Sequence, residues 1–222
     1  MLKITNPIKE EQWKYLWLNQ RNTPSHFILP MEENEVYKYL MLAYETEVAN
    51  RHYKFKKIPE LEYQISQIAK WLTNEDSSFG LLLCGGLGNG KSTMMRAIQR
   101  LIRNFRIVDE FNEIYYLQII HSTSIFDMIK DDKKIIELCR TPMLGIDDLG
   151  TEPKEYLVYG NIHTPIVKLL SSRYDSRLFT MTTTNLTPTQ ICNYYGARIG
   201  DRLNEMMKII VFPNNSYRAN EK

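Results

Sequence analysis

A glycine-rich loop lies between an apolar segment and a helical segment, and its residue types suit phosphate chemistry. Residues 81–101 have the sequence LLLCGGLGNGKSTMMRAIQRL, in which Gly85, Gly90, Lys91 and Ser92 satisfy G-x-x-x-x-G-K-[ST]. Glycines let such a loop wrap tightly, so that its backbone N–H groups point inward at phosphate oxygens. A helix that begins at Lys91 adds the positive end of its dipole. The loop therefore predicts a site for the phosphates of a nucleotide.

We expect this loop to hold ATP, with Lys91 reaching the β- and γ-phosphates and the Ser92 hydroxyl ligating Mg²⁺. The predicted nucleotide-binding residues of the loop are Gly85, Gly86, Leu87, Gly88, Asn89, Gly90, Lys91, Ser92 and Thr93. The dinucleotide fingerprint G-x-G-x-x-G is the competing interpretation. It fails because its sixth position is Lys91 when it starts at Gly86, and Thr93 when it starts at Gly88.

Two carboxylates and one amide follow later apolar segments. MLGIDDLG carries Asp147, the expected Mg²⁺ partner, and Asp148, expected to orient or deprotonate the attacking water. A surface turn with two solvated acids is the alternative, which the position after a buried strand disfavours. TMTTTNL places Asn185 at the end of another strand, where an amide can hold that water or sense the γ-phosphate. A single Asn there is ordinarily a turn residue.

Short apolar strands alternate with helical segments along most of the chain. We predict strands at 79–84, 113–120, 142–146, 177–185 and 208–212. We predict helices at 32–50, 60–72, 91–104, 122–130, 133–139 and 160–175, with two short helices before the last strand. This alternation is typical of a parallel sheet covered by helices on both faces.

Composition narrows the class of protein. Lys plus Arg number 28 against 26 Asp plus Glu, which does not indicate a strongly basic DNA-coating protein. The three cysteines form no C-x-x-C pair, so we expect reduced thiols in the cytoplasm and neither a zinc site nor a disulfide framework. Because no apolar stretch has the length of a signal peptide or a membrane span, we expect no membrane association.

The first 50 or so residues differ in composition from the rest, being rich in Trp, Tyr, Asn and Glu. We therefore expect a domain boundary near residues 57 and 58. Residues 1–57 are predicted to form a helical, partner-binding appendage, and residues 58–222 the main domain. Trp13, Leu16 and Trp17 share one side of a predicted helix, which is typical of a protein-binding face. Packing of that face against the main domain is the alternative.

Two basic stretches are candidates for contact with nucleic acid. One is a stripe along the helix after the loop, formed by Arg96, Arg100, Arg103 and Arg106. The other is RHYKFKK at 51–57, whose interleaved aromatic side chains could stack bases. A solvated helix face and a cover over the core are the respective alternatives.

The later motifs, taken together with the loop, resemble one family. In order, GGLGNGKS, GIDDLG, TTTNL, GARIGDRL and SYR are similar to the AAA+ ATPases of the DnaC/IstB group, which are helicase loaders and transposition-helper ATPases. The resemblance implies a three-layer P-loop NTPase fold, with a five-stranded parallel sheet between helices. It also implies a helical N-terminal appendage and no full C-terminal lid domain.

The same resemblance implies roles for residues near the end of the sequence. Arg202 corresponds to an arginine finger that enters the ATP site of a neighbouring subunit, and Arg198 falls on the same interface. Arg218 corresponds to the sensor-2 arginine, and Asn185 to sensor 1. Single arginines are more often simply solvated. We expect a homo-oligomer to form with ATP through Arg202.

The implied function is that of a cytoplasmic ATPase that places a replicative helicase on single-stranded DNA. Asp148 stands where most AAA+ proteins have Glu, so we expect slow hydrolysis, and the short segment 121–141 weakens the expectation of direct DNA contact. The alternatives are a transposition helper and a nucleotide-gated binding module with little hydrolysis. A P-loop kinase is disfavoured, because Arg173 and Arg177 alone would have to form its lid.

Overall fold

The computed structural model describes residues 27–74, 78–108, 114–128, 132–158 and 161–217. The strands are β1 (Gly80–Gly85), β2 (Gln118–His121), β3 (Met143–Leu149), β4 (Tyr156–Val158), β5 (Asn161–His163), β6 (Phe179–Thr184) and β7 (Met207–Phe212). The helices are α1 (Glu33–Ala49), α2 (Pro59–Thr73), α3 (Lys91–Phe105), α4 (Ser122–Asp127), α5 (Asp132–Arg140), α6 (Pro165–Asp175), α7 (Pro188–Tyr195) and α8 (Ala197–Met206).

Five strands form one parallel sheet in the order β2-β3-β6-β1-β7. The predicted three-layer fold with a five-stranded parallel sheet is confirmed. Because β6 lies between β1 and β3, its carboxyl end separates the glycine-rich loop after β1 from the acids at the end of β3. Ligands of open parallel sheets bind at this carboxyl edge, where the strand order reverses.

Each face of the sheet carries its own apolar layer. Alternate side chains of a strand point to opposite faces, so Leu81 and Leu83 enter one layer and Leu82 the other. The first layer packs the sheet against α1, α2 and α3. The second packs it against the later helices, with α6 and α8 among them. The strands whose carboxyl ends form the edge are thus packed on both faces.

Helix α1 packs against both α2 and α3. Its buried residues Val36, Leu40 and Tyr44 belong to the same apolar layer as the helix that follows the glycine-rich loop. The predicted helix at 32–50 is therefore confirmed, and it lies against the main domain. The boundary near residues 57 and 58 stays a prediction. Trp13, Leu16 and Trp17 lie outside the described residues. No helix of the described ranges is long and apolar enough to cross a membrane.

The segment after β3 differs from the prediction. A helix was expected over 160–175, but α6 begins only at Pro165, and β4 and β5 pair as an antiparallel hairpin before it. Proline favours the first position of a helix, where its missing N–H is not needed, and this explains the late start. Strand β3 also continues beyond the predicted 142–146 to Leu149, so that Asp147 and Asp148 both lie within the strand. Strand β2 begins at Gln118, later than the predicted 113.

A fully buried arginine joins three parts of the second layer. Arg173 donates through Nε to Thr180 Oγ1 (2.8 Å), through Nη1 to the carbonyl oxygens of Leu138 (2.9 Å) and Thr141 (2.7 Å), and through Nη2 to the Phe179 carbonyl (2.6 Å). Burial lowers the pKa of Arg173 to about 10, so the group remains charged at pH 7. Two of the carbonyls belong to the end of α5 and the residue after it, where helical partners are lacking. Arg173 is therefore structural and is not available to a kinase lid.

Replacing Arg173 with leucine is expected to lower the free energy of unfolding by about 3 kcal/mol or more, because several buried acceptors lose their donors. Urea denaturation followed by circular dichroism measures this difference. Arg177→Leu is the control, since Arg177 is exposed and its guanidinium only covers the Phe79 ring, 4.7 Å from the centroid. Equal stabilities of the two variants would contradict the assignment.

Candidate nucleotide-binding site

The glycine-rich loop joins β1 to the first turn of α3, as predicted. Gly90 has a left-handed φ of 96°, and a Cβ there would collide with the Tyr44 hydroxyl on α1. At Gly85 a Cβ would collide with the carbonyl of Phe212, the last residue of β7. Both positions therefore require glycine, and the loop lies against α1 and β7.

Lys91 is buried at the centre of the loop, with 5% of its surface exposed. Its ammonium nitrogen lies 2.6–3.0 Å from four oxygens that share its three N–H donors: the carbonyl oxygens of Gly85 and Gly86 and the side-chain oxygens of Asn89 and Asn185. Burial lowers the pKa of Lys91, and the nearby Asp148 carboxylate opposes that shift. The structure thus brings Asn185 to within 2.9 Å of the loop lysine. Phosphate oxygens could take over the protein acceptors that now surround this cation.

Ser92 and Asp147 meet beside Lys91. The Ser92 hydroxyl donates to Asp147 Oδ1 at 2.8 Å, and the Thr183 hydroxyl donates to the same oxygen at 2.6 Å. Asp147 is buried, with 6% of its surface exposed. Mg²⁺ prefers oxygen ligands and usually takes one or two from protein, with phosphates and water completing the shell. An alcohol and a carboxylate oxygen this close to the start of α3 fit such an ion.

Asp148 follows in a left-handed conformation, with φ 57°. It lines the cleft above the loop, and its half-exposed carboxylate lies 3.4 Å from His121 Nε2. Sequence reasoning missed His121. His121 is the last residue of β2 and pairs with Asp147 near the end of β3. Its position at the end of a predicted strand could have marked it as a candidate site residue. The carboxylate is in position to contact a ligand on the loop, with an imidazole as its competing partner.

The segment between α1 and α2 forms a wall of the same cleft. Its lining residues are Arg51, Tyr53, Lys54, Phe55 and Lys56, and Tyr44, Val48 and Tyr217 also line the cleft. The sequence left this segment either as a surface for stacking DNA bases or as a cover over the core. In the structure Phe55 packs against the apolar core, as the second alternative predicts, and the segment also lines the cleft above the glycine-rich loop. A sequence pattern alone cannot reveal which cleft such a segment borders.

The residues after β7 return to the loop. The Asn214 side chain donates to the Asn89 carbonyl (2.8 Å), and the Tyr217 N–H donates to the Gly88 carbonyl (3.0 Å). Asn89 in turn donates from Nδ2 to the Phe212 carbonyl (2.6 Å). Sequence reasoning missed Asn214 and Tyr217. Arg218 lies outside the described residues, one position after a residue whose backbone touches the loop.

Arg202 lies on α8 and is not among the described residues that line the cleft. Its Nη2 is 3.2 Å from Asp175 Oδ1, and its guanidinium stands 4.8 Å from the centroid of the Tyr174 ring. Tyr174 also donates a hydrogen bond to Glu205. Arg198, one turn earlier, is exposed. A role of Arg202 in nucleotide chemistry would therefore concern the cleft of another molecule, and it stays a prediction.

The predicted arginine stripe on α3 is divided. Arg96, Arg103 and Arg106 are exposed, whereas Arg100 pairs with Glu47 on α1 through Nε and Nη2, each at 2.6 Å from Oε1. Arg100 therefore helps to hold α1 against α3. The other three arginines are exposed, and contact of this helix face with nucleic acid stays a prediction.

Comparisons with known proteins agree with this architecture. No protein-family model matches the chain, and no curated protein sequence matches it significantly. Among solved structures, that of DnaI shares 19% identity and a TM-score of 0.56, covering 71% of this chain and 87% of that chain. The structure of the DnaC helicase loader shares 19% identity and a TM-score of 0.55, covering 72% of this chain and 93% of that chain.

The structure of AMPPCP-bound DnaA from Aquifex aeolicus shares 11% identity and a TM-score of 0.50, covering 74% of this chain and 50% of that chain. At these identities the likeness concerns the fold. The predicted resemblance is confirmed at that level, since the strand order and the loop are those of an α/β P-loop NTPase. The chain has the AAA+ fold seen in DnaC, DnaI and DnaA.

Proposed function

We propose that this chain is an ATP-dependent DNA replication protein, a helicase-loader-type AAA+ ATPase that assembles with itself when ATP binds. The arrangement around Lys91 carries the proposal. The glycine-rich loop, β3 and the end of β6 bring together a buried ammonium group, an alcohol beside a buried carboxylate, and an amide, all at the carboxyl edge of a parallel sheet. This combination suits a magnesium nucleotide.

The loop N–H groups and Lys91 would bind the phosphates, while Ser92 and Asp147 would hold Mg²⁺. The ion, when bound, neutralises charge on the phosphoryl oxygens. Asp148 would orient the attacking water and accept its proton, and Asn185 would align the water with the γ-phosphate. Turnover is expected to be slow, because the aspartate is one methylene shorter than glutamate and has His121 as a partner.

The wall formed by residues 51–56 would receive the base. Tyr53 and Phe55 offer rings for stacking, and Lys54 and Lys56 offer charge close to the phosphates. Burial raises the pKa of the Tyr44 and Tyr217 phenols, so both remain neutral beside the loop at pH 7. Neutral phenols do not repel phosphate oxygens and can donate to them.

Replacing Tyr53 with alanine is expected to weaken ATP binding about tenfold, because stacking of a base on an aromatic ring contributes about 1–3 kcal/mol. Binding of inorganic tripolyphosphate should not change. Calorimetric titration of both ligands measures the difference. Tyr63→Ala, an exposed tyrosine on α2 that does not line the cleft, is the control. Equal loss for both ligands would contradict a base-binding wall.

Assembly would bring Arg202 to the nucleotide of a neighbouring subunit. A guanidinium supplied in trans stabilises charge on the transferring phosphoryl group only when subunits are stacked, which couples ATP to assembly. Arg218 would contact the nucleotide of its own subunit as sensor 2. The bond from the Tyr217 backbone N–H to the Gly88 carbonyl supports this, because Tyr217 directly precedes Arg218 in the sequence.

A replicative helicase is the proposed partner of this cytoplasmic protein, and its proposed docking region is the part of residues 1–57 that precedes the wall at 51–56. The likeness in fold to a structure described as the DnaC helicase loader supports this choice. Single-stranded DNA is the proposed substrate on which the helicase is placed. The exposed Arg96, Arg103 and Arg106 are candidate phosphate contacts.

A nucleotide-gated binding module with little hydrolysis is the second candidate. It is favoured by the short side chain of Asp148 and by the His121 imidazole 3.4 Å from it. The two functions share ATP binding and differ in turnover. A hydrolysis assay in the presence of helicase and single-stranded DNA separates them.

Pull-down of a purified hexameric replicative helicase tests the proposal. The chain should retain the helicase with a non-hydrolysable ATP analogue and release it with ADP. Lys91→Ala, which should not bind ATP, is the control. Retention that is equal in all nucleotide states, or absent in all of them, would contradict a helicase loader.

A further inference from the structure

The two acids at the end of β3 stand at a bulge in the sheet. Ile146 pairs with Thr182 and Leu149 pairs with Thr184, so Asp147 and Asp148 together face the single residue Thr183 on β6. Two residues opposite one is the pattern of a β-bulge, which bends the strand and redirects its side chains. In a regular strand, consecutive side chains would point to opposite faces. At this bulge the Asp148 carboxylate lines the cleft, while the Asp147 carboxylate bonds Ser92, another residue of the cleft lining.

The hydroxyl of Thr183 occupies the centre of this bulge. It donates to Asp147 Oδ1 at 2.6 Å and accepts from the backbone N–H of Asp148 at 2.9 Å. Thr183 is fully buried, so water does not replace either bond. A bulge interrupts the regular ladder of backbone hydrogen bonds, and here a side chain supplies the acceptor for the Asp148 N–H.

The carbonyl of Asp148 has its own partners. Ser122 Oγ and Thr151 Oγ1 each donate to it at 2.8 Å. These two hydroxyls hold the far side of the left-handed residue but do not touch Asp147. Among the described residues, Thr183 is the one whose side chain bonds both residues of the bulge, Asp147 through its carboxylate and Asp148 through its backbone N–H.

We propose that Thr183 is a positioning residue whose single hydroxyl sets both acids, turning the Asp147 carboxylate toward Ser92 and the Asp148 carboxylate toward the cleft. The proposal rests on the proposed function for its catalytic consequence. Ser92 and Thr183 bond the same oxygen of Asp147. If Ser92 turned to a magnesium ion, Thr183 would keep the carboxylate in place.

Three variants separate the hydroxyl from the shape of the side chain. Thr183→Val removes the hydroxyl and keeps the branched shape, and Thr183→Ser keeps the hydroxyl. Thr182→Val is the matched control, because Thr182 is equally buried on the same strand but donates only to the Met207 thioether, at 3.7 Å. If Thr183→Val fails to fold, Thr183→Cys takes its place, since a thiol is a weak donor of similar size.

The first measurement needs no nucleotide. Exchange of the Asp148 backbone amide is followed by NMR in the nucleotide-free proteins. We expect faster exchange in Thr183→Val than in wild type, and wild-type rates in Thr183→Ser and Thr182→Val. Equal protection of this amide in Thr183→Val and Thr182→Val would overturn the proposal.

The second measurement is the affinity for a fluorescent ATP analogue with Mg²⁺ and with EDTA. The gain in affinity caused by Mg²⁺ should fall about tenfold in Thr183→Val, the size expected for a lost hydrogen bond to a charged group. The affinity in EDTA should not change. A Mg²⁺-dependent gain in Thr183→Val that equals that of Thr182→Val would overturn the proposal.

Hydrolysis supplies the third comparison. In Thr183→Val, kcat should fall by about 10- to 100-fold, as for a misplaced catalytic group, with KM little changed. A kcat of Thr183→Val equal to that of wild type would show that Thr183 does not position the Asp148 carboxylate for hydrolysis. Absence of ATP binding by the wild-type protein would instead overturn the proposed function, and amide exchange would still decide whether Thr183 holds the bulge.

Discussion

Replacing Lys91 with alanine is expected to weaken ATP binding by at least about 100-fold, which corresponds to about 3 kcal/mol. The buried ammonium group would donate charge-assisted hydrogen bonds to phosphate, and alanine cannot replace them. In the nucleotide-free protein the three N–H donors of the same group are shared among four oxygens of the loop and of Asn185. Calorimetric titration with MgATP measures the change.

Arg96→Ala is the matched control for this variant. Arg96 lies on the same helix but is exposed and does not line the cleft. Its loss should leave ATP affinity unchanged. An affinity of Lys91→Ala within about threefold of wild type, a difference of less than one kcal/mol, would show that the loop does not bind phosphates as proposed.

Replacing Arg202 with alanine is expected to reduce hydrolysis by about 10³-fold, measured under the conditions in which the wild-type protein is assembled, the effect typical of an arginine finger. ATP affinity of the single subunit should not change, because Arg202 does not line the cleft of its own chain. Steady-state phosphate release and ATP titration measure the two quantities. Arg177→Ala, which removes an exposed arginine two positions after Asp175 in the sequence, is the control.

Mixing two inactive variants tests whether Arg202 acts between subunits. Lys91→Ala retains Arg202 but not its ATP site, whereas Arg202→Ala retains the ATP site but not the arginine. A mixed assembly contains pairs with an intact site beside an intact arginine, so activity should reappear on mixing. Activity no greater than the sum of the separate proteins would contradict action in trans.

The sequence predicted the central part of the fold well because local signals there are strong. A short apolar run, a glycine-rich loop and an amphipathic helix follow one another between residues 80 and 105, and the structure confirms each. The acids of β3 and Asn185 were predicted at strand ends, and parallel topology brings such ends to one edge. Spacing and topology together were enough to assemble Lys91, Ser92, Asp147 and Asn185.

Other features depend on contacts between distant parts of the chain. Strand β5 was predicted as the start of a helix, although Thr164 and Pro165 form a recognisable helix start. The role of Arg173 arises from carbonyls on α5 and β6, which no local pattern connects. The Thr183 hydroxyl likewise gains its partners only from a bulge in the neighbouring strand.

The wall formed by residues 51–56 shows the same limit at the candidate site. Its alternation of aromatic and basic residues is visible in the sequence and is compatible with several anionic ligands. Only the packing of α1 against α3 brings this segment to the glycine-rich loop. Asn214 and Tyr217 reach the loop in a comparable way, because β7 ends beside it.

Sedimentation velocity tests the central claim, that ATP bound at this loop drives assembly through Arg202. Wild type and Arg202→Ala are compared with Mg²⁺ and either ADP or a non-hydrolysable ATP analogue, each with and without single-stranded DNA. The account predicts that the analogue shifts wild type to a larger species, that ADP does not, and that Arg202→Ala remains a monomer throughout. A wild-type protein that binds the analogue and still sediments as a monomer would contradict it.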